Sequence, residues 1–404
     1  MRRRDASGRL RIVVYGYVVR GPLAGFAWHH LQYASGLMRL GHEVLFVEDG
    51  GDSDSCYDPM ADLVSEDSSY GLTFMRDACA GFGISNRWAF YDIGRGIWCG
   101  PYAQHATEYC ASADLLINLN DPESLPSWLA EIPNRALVDT DPAFMQIANL
   151  QSTARHAAVA QHTVLFTFGE AISAGTSTVP SDGFQWLPTR QPIDFELWPA
   201  AAGSPAGRWT TVMQWDSYPV VEYLGKRYGM KSASFDEYVD LPSRVSQPLE
   251  IALGSPSAPR EHLTSAGWIL RNPLPISCTP WNYANYIKGS KGELSVAKHG
   301  YVVSACGWFS ERTACFLASG RPAVVQETGF SSILPSGLGL LTFVSADEAV
   351  AQLIEADRNY SLHCRGARDM SREWFDASRV LSSLVDRAMG RRVSVAADSS
   401  QESG

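Results

Sequence analysis

The chain has 404 residues, 45% of them hydrophobic and 19% charged, and a formal net charge of −10. That length exceeds what one core organises, so two domains of roughly 200 residues each are expected. The composition excludes a disordered or fibrous chain, and the acidic balance argues against a nucleic-acid binder, which would carry a basic face.

The eight cysteines (Cys56, Cys79, Cys99, Cys110, Cys278, Cys306, Cys315 and Cys364) include no C-x-x-C pair. Neither a zinc site nor a thioredoxin-like site is expected, and free thiols in a reducing cytoplasm are. Basic residues precede the apolar run 12–19, as in a signal peptide, but the run is short and carries Tyr15 and Tyr17. It reads as a buried first strand. No stretch approaches the roughly 20 apolar residues of a membrane span, so a cytoplasmic protein is expected.

The first half alternates apolar runs with helical patterns. RIVVYGYVV (11–19) is a strand, RGPLAGFA a loop, and 28–42 a helix with Leu31, Ala34, Leu37 and Met38 in register and Gly41 as its stop. EVLFVED (43–49) is the next strand. Further strands are expected at 88–92, 115–120, 135–141 and 163–168. A Pro, Ala and Gly-rich tract centred on 191–207 reads as a linker between a first domain, 1–190, and a second, 208–370.

The second half starts over, with strands expected at 210–215, 249–254, 267–271, 293–297, 322–326 and 340–344. The last part is helical and amphipathic, and the tail 391–404 is polar and expected to be disordered. The fold class is α/β, two doubly wound Rossmann-like domains facing a cleft. Ligands of open parallel sheets bind beyond the carboxyl ends of the strands, so such a cleft suits two ligands meeting, one per domain.

The stretch 307–329, GWFSERTACFLASGRPAVVQETG, is the most informative. Ser310 is an N-cap, with Glu311, Arg312 and Thr313 as the first helical turn. Gly320 is the helix stop, and Arg321-Pro322 leads into the strand AVVQ. A helix N-terminus attracts anions, and Arg312 with the hydroxyls of Ser310 and Thr313 adds donors suited to phosphate. Glu311 would repel a diphosphate and is expected to point aside or to contact a ligand hydroxyl. An ordinary capped helix is the competing reading. Lys298 and His299, after an apolar strand, are placed to neutralise a leaving phosphate; a solvated loop is the alternative.

The run Ala305-Cys306-Gly307-Trp308-Phe309-Ser310 is similar to the His-Cys-Gly-Trp-Asn-Ser run of GT-B-fold glycosyltransferases. A-S-G-R-P-A-V-V (318–325) resembles that family's helix stop, Gly-x-Pro and strand. In the first half a glycine-bearing loop, W-H-H, a helix and G-H-E-V resemble its amino-terminal opening. The resemblance implies a nucleotide-sugar donor, UDP- or dTDP-linked, whose diphosphate meets Lys298, His299, Gly307, Ser310, Arg312 and Thr313. It implies that Gln326, Glu327 and Thr328 contact the sugar, that no cofactor or metal is needed, and that a helix over 371–390 packs back on the first domain. Ala305 and Phe309 replace the family's histidine and asparagine, and the Glu-x7-Glu pattern of retaining members is missing.

An inverting member of that family needs a base for the acceptor hydroxyl. His29 and His30 are the candidates, their side chains diverging by about 100° on a helix, with an unperturbed pKa of roughly 6.5 that suits the role. Orienting acids are sought at strand ends: Asp121, and Asp139 or Asp141 in VDTDPA, where an Asp-capped turn is the other reading. His42 reads as structural. Trp28, Trp215 and Trp308 can stack on a sugar or base or pack in the core. The expected activity is sugar transfer to an acceptor hydroxyl or amine, the acceptor being a lipid, a natural product or a saccharide. The alternatives are a sugar-nucleotide epimerase of the same fold and a catalytically silent binding subunit.

Overall fold

The computed structural model describes residues 8–51 and 55–391. The tail expected to be disordered lies, from residue 392 on, outside the described residues. In chain order the first half forms β1 (Arg11–Tyr15), β2 (Glu43–Asp49), a hairpin of β3 (Cys56–Asp58) and β4 (Leu63–Ser65), then β5 (Trp88–Asp92), β6 (Ile97–Cys99), β7 (Leu115–Asn118), β8 (Asn134–Asp139), β9 (Val164–Thr167) and β10 (Trp186–Pro188). Eight of these make one sheet in the order β10-β9-β8-β7-β1-β2-β5-β6. All its pairings are parallel except β5 with the edge strand β6. Ile12, Val13 and Val14 are fully buried because helices cover both faces, which is why β1 reads as an unbroken apolar run.

The second half forms β11 (Trp209–Met213), a hairpin of β12 (Val221–Tyr223) and β13 (Lys226–Tyr228), then β14 (Leu249–Leu253), β15 (Ile269–Arg271), β16 (Gly292–Ser295), β17 (Ala323–Gln326) and β18 (Leu340–Phe343). Six of them make a parallel sheet in the order β15-β14-β11-β16-β17-β18. Strand order reverses beside β1 in the first sheet and beside β11 in the second, giving each a topological switch point at its carboxyl edge.

The strand expected over 11–19 ends at Tyr15, with 16–23 a loop, and two helix boundaries also differ from expectation. The first helix spans Ala24–Arg39 rather than 28–42, because the small residues after Pro22 continue the helix and Gly41, at φ +89°, ends it. The histidines therefore sit in its second turn, not at its mouth. The C-terminal helix is broken: Tyr360–Phe375 stops at Asp376, which caps Ala377–Ala388 by accepting from Ser378 N at 2.8 Å. The last helix packs on Ala24–Arg39, where any Cβ at Gly36 would stand 2.6 Å from Leu381, so the absence of a side chain sets the close approach. No helix among the described residues is long and apolar enough to cross a membrane.

Candidate active site

A cavity of about 1470 Å³ lies between the two sheets. Its first-domain wall comes from the carboxyl ends of β1 and β7 (Tyr15, Asn118, Leu119) and from the helix carrying His29 and His30; its second-domain wall comes from the ends of β11 and β14 (Met213, Gln214, Leu253, Gly254) and from Glu311 and Arg312. Both switch points open on it. The volume exceeds the roughly 300–1,000 Å³ of a single-ligand pocket.

The loop 16–23 is held by one buried side chain. Glu48, at the end of β2, accepts from the backbone N–H groups of Val18 and Val19 at 2.7 Å and of Arg20 at 2.8 Å. Burial pushes its carboxyl up to about 7, against the pull of those donors. Arg20 in turn fastens the β3–β4 hairpin: its carbonyl accepts from Tyr57 N at 3.0 Å and its Nε donates to Ser55 O at 3.4 Å.

His29 is partly buried among rings, with centroids of His30 at 4.7 Å and Phe168 at 5.9 Å, and desolvation lowers its pKa to about 4. His30 donates Nδ1–H to Phe26 O at 2.8 Å and is held well below its usual pKa by burial. Among the described residues no hydrogen bond joins either histidine to a carboxylate. Asp121 lies on the cavity but pairs with Arg155 at 2.5 Å. Asp139 is buried, accepts from Gln146, Thr167 and Asp141 N, and is pushed up to about 7 by burial. Asp141 accepts from Lys298 Nζ at 3.1 Å, and from the hydroxyls of Tyr218 and Tyr301. The acids expected to orient a histidine thus have other partners.

The Asp141 cluster is an interdomain tie. Lys298 Nζ lies 4.5 to 5.2 Å from the ring centroids of Tyr218, Phe144 and Tyr301, so cation–π attraction supplements the ion pair. His299 accepts from Gly229 N at 3.3 Å through Nδ1. Gly307, at φ +82°, approaches the first domain so closely that a Cβ there would be 2.6 Å from Ala171 N. Trp308 donates to Thr140 O at 3.3 Å and stacks on Tyr301 at 4.4 Å. The loop 305–309 is therefore docked into the domain seam.

The helix Glu311–Ala318 begins as the sequence implies, with Ser310 Oγ accepting from Arg312 N at 3.2 Å. Of the row 310–313 only Glu311 and Arg312 line the cavity. Arg312 fills the switch point of the second sheet. β11 and β16 pair only at Trp209–Gly292 and Thr210–Glu293 and then diverge. The guanidinium spans the gap, donating to Val212 O at 2.9 Å, Ser295 Oγ at 2.7 Å and buried Glu293 at 2.5 Å. Thr313 is fully buried with its hydroxyl unpartnered. Gln326 is spent on Tyr238 and Ala297 N, Thr328 Oγ1 donates to Trp308 O, and Glu327 Oε1 accepts from Thr328 N, Gly329 N and Ser331 N. None of these three residues, nor Lys298, His299, Gly307, Ser310 or Thr313, is on the cavity wall.

Sequence reasoning missed other cations. Arg260 lines the cavity and donates to Leu253 O and Ser255 O at 3.1 Å, at the end of β14. Lys231 is buried, donates Nζ to Val296 O at 2.7 Å, and is held well below its usual pKa by desolvation and by Arg312. Neither has a periodic signature; a lysine next to Met230, in an apolar setting, was the only cue. Trp28 and Trp215 are core residues.

No protein-family model matches the chain, and no curated protein matches it in sequence. Solved structures do. An alpha-glucosyltransferase in complex with UDP and a 13-mer DNA shares 11% identity over 95% of this chain and 100% of its own, with a TM-score of 0.57. AviGT4, a glycosyltransferase involved in avilamycin A biosynthesis, shares 13% over 94% and 97%, at 0.54. Alr3699/HepE of Anabaena, in complex with UDP and glucose, shares 9% over 94% and 100%, at 0.53. At these identities the likeness is one of architecture along nearly the whole chain: the protein has the GT-B fold of glycosyltransferases.

Proposed function

We propose that the protein transfers a sugar from a nucleoside-diphosphate donor, UDP-linked as in the structural neighbours, to a hydroxyl or amine of an acceptor. The observation that carries this is the single cavity onto which both switch points open, with imidazoles on one wall and arginines on the other. Two substrates can meet there without crossing a domain.

In the transfer the acceptor oxygen bonds to the anomeric carbon as the bond from that carbon to the diphosphate oxygen breaks. The electron pair leaves with the nucleoside diphosphate, and the hydroxyl proton passes to a base. Both His29 and His30 line the cavity, and we take His29, the less buried of the two and lowered to about 4 by desolvation, as that base. A lowered pKa weakens it as a base, and the negative charge of a bound diphosphate would raise it. The leaving charge falls to Arg260, a cation on the cavity wall held by two carbonyls and suited to a metal-independent reaction, since Arg312 is largely neutralised by Glu293. The thiols of Cys79, Cys99, Cys110, Cys278, Cys306, Cys315 and Cys364, none of them in a disulfide, fit a cytoplasmic setting.

The acceptor reading excludes nucleic acid, although one neighbour was solved with DNA. The cavity carries Asp62, Asp121, Glu123, Asp216 and Glu311 against Arg20, Arg260 and Arg312, and an acidic wall repels a phosphate backbone. The test is incubation with UDP-, dTDP- and GDP-sugars, following nucleotide release with and without alcohol and amine acceptors. Acceptor-dependent release is expected. If no sugar nucleotide raises the melting temperature and none is consumed, the proposal fails.

A further inference from the structure

The first-domain wall of the cavity is unlike the second. It is built from Tyr15, Tyr17, Leu23, Phe26, Tyr57 and Met60. Tyr17 and Phe26 form an edge-to-face pair at 5.2 Å. The β3–β4 hairpin continues this wall outward and leaves Met60 68%, Leu63 56% and Val64 61% exposed. Such a concentration of exposed apolar side chains at a cavity mouth marks a binding surface. It is also built rather than loose, because Arg20 and Glu48 tie the hairpin to the loop after β1.

The charge around it is predominantly acidic, Arg20 being the exception, its guanidinium 5.2 Å from the centroid of the Tyr17 ring. Between Ser55 and Met75 the sequence has Asp58, Asp62, Glu66 and Asp67 and no lysine or arginine. Asp62 and Glu123 reach the cavity itself. An anionic ligand or an anionic bilayer would be repelled at this mouth, whereas an ammonium group would be attracted.

We propose, resting on the transferase reading above, that the acceptor is a small apolar or aromatic molecule of neutral or positive charge. It is seated between the hairpin and the Tyr17–Phe26 pair, with its hydroxyl or amine toward His29. The aromatic wall takes the apolar body, and the carboxylates set the charge preference.

A matched set of probes tests this on the full chain: 1-naphthylmethylamine, 1-naphthalenemethanol and 1-naphthaleneacetate, titrated by calorimetry or ligand-observed NMR. The amine and alcohol are expected to bind at least about tenfold more tightly than the carboxylate. Met60→Ser and Phe26→Ser, at exposed positions, are expected to weaken both, and Asp62→Asn with Glu123→Gln to abolish the preference for the amine over the alcohol. Equal binding of all three probes, or binding untouched by Met60→Ser and Phe26→Ser, would overturn the proposal. So would sedimentation of the protein with phosphatidylcholine–phosphatidylglycerol vesicles, which would make a bilayer lipid the partner. UDP-induced stabilisation is measured alongside: if it is present while the probes fail, only the acceptor inference falls, and if sugar nucleotides also fail, the transferase reading falls with it.

Discussion

Arg312→Ala is expected to unfold the second domain more readily before it says anything about donor binding. Glu293 is fully buried, and its second oxygen has no partner. The guanidinium is its counter-ion at 2.5 Å and also holds Val212 O and Ser295 Oγ across the diverging ends of β11 and β16. Removing one partner of a buried pair strands the other charge, at about 3–5 kcal/mol. At about 2–4 °C per kcal/mol for a domain of this size, the melting temperature should fall by about 6–20 °C. Arg312→Met combined with Glu293→Gln should recover most of that loss, because no charge is then stranded. Differential scanning fluorimetry with circular dichroism reads both. A melting temperature within about 2 °C of wild type for Arg312→Ala, with UDP stabilisation lost, would refute this reasoning and make Arg312 a ligand contact alone.

Asp141→Asn should release Lys298 and the two tyrosine hydroxyls, lowering stability by about 1–2 kcal/mol at this half-exposed tie and enlarging the radius of gyration in solution scattering; an unchanged radius would show that the seam holds without it. Glu327→Ala removes the acceptor of three backbone N–H groups and should cost about 1–2 kcal/mol in chemical denaturation while leaving UDP-induced stabilisation intact. Glu48 and Asp139, both raised to about 7, favour the folded state in their neutral forms, so their contribution is full below the unfolded carboxyl range and is lost as pH rises through 7. Between pH 6.5 and 8 each should forfeit on the order of 1 kcal/mol, and the stability of Glu48→Gln should fall less steeply with pH than that of wild type. If His29 is the base, the acid limb of kcat/KM should lie below the ordinary histidine value and disappear with His29→Ala along with activity, whereas full activity of His29→Ala would exclude it.

The fold was legible because parallel strands buried on both faces leave apolar runs such as RIVVY and AVVQ, and because Gly41 and Gly320 stop helices at positive φ. Ser310 as a cap was legible for the same local reason. What the sequence could not carry was direction. That Lys298 turns to Asp141, 157 positions away, or that Gln326 turns inward to Tyr238, depends on how two domains meet. The hairpin 56–65 escaped because each of its strands is only three residues long, too few for a period-two pattern.

The direction of Arg312 bears on where a diphosphate would find its cations. Glu293 beneath the guanidinium and Glu311 beside it at the cavity wall oppose its charge, leaving little excess to meet a ligand. Arg260, held by two carbonyls, has no carboxylate at salt-bridge distance among the described residues. Lys231, buried and hydrogen-bonded to Val296 O beyond β16, is not on the cavity wall. The helix mouth at Ser310 thus serves the second sheet by delivering Arg312 to its switch point, and the cation on the second-domain wall with no carboxylate at salt-bridge distance among the described residues is Arg260, at the end of β14.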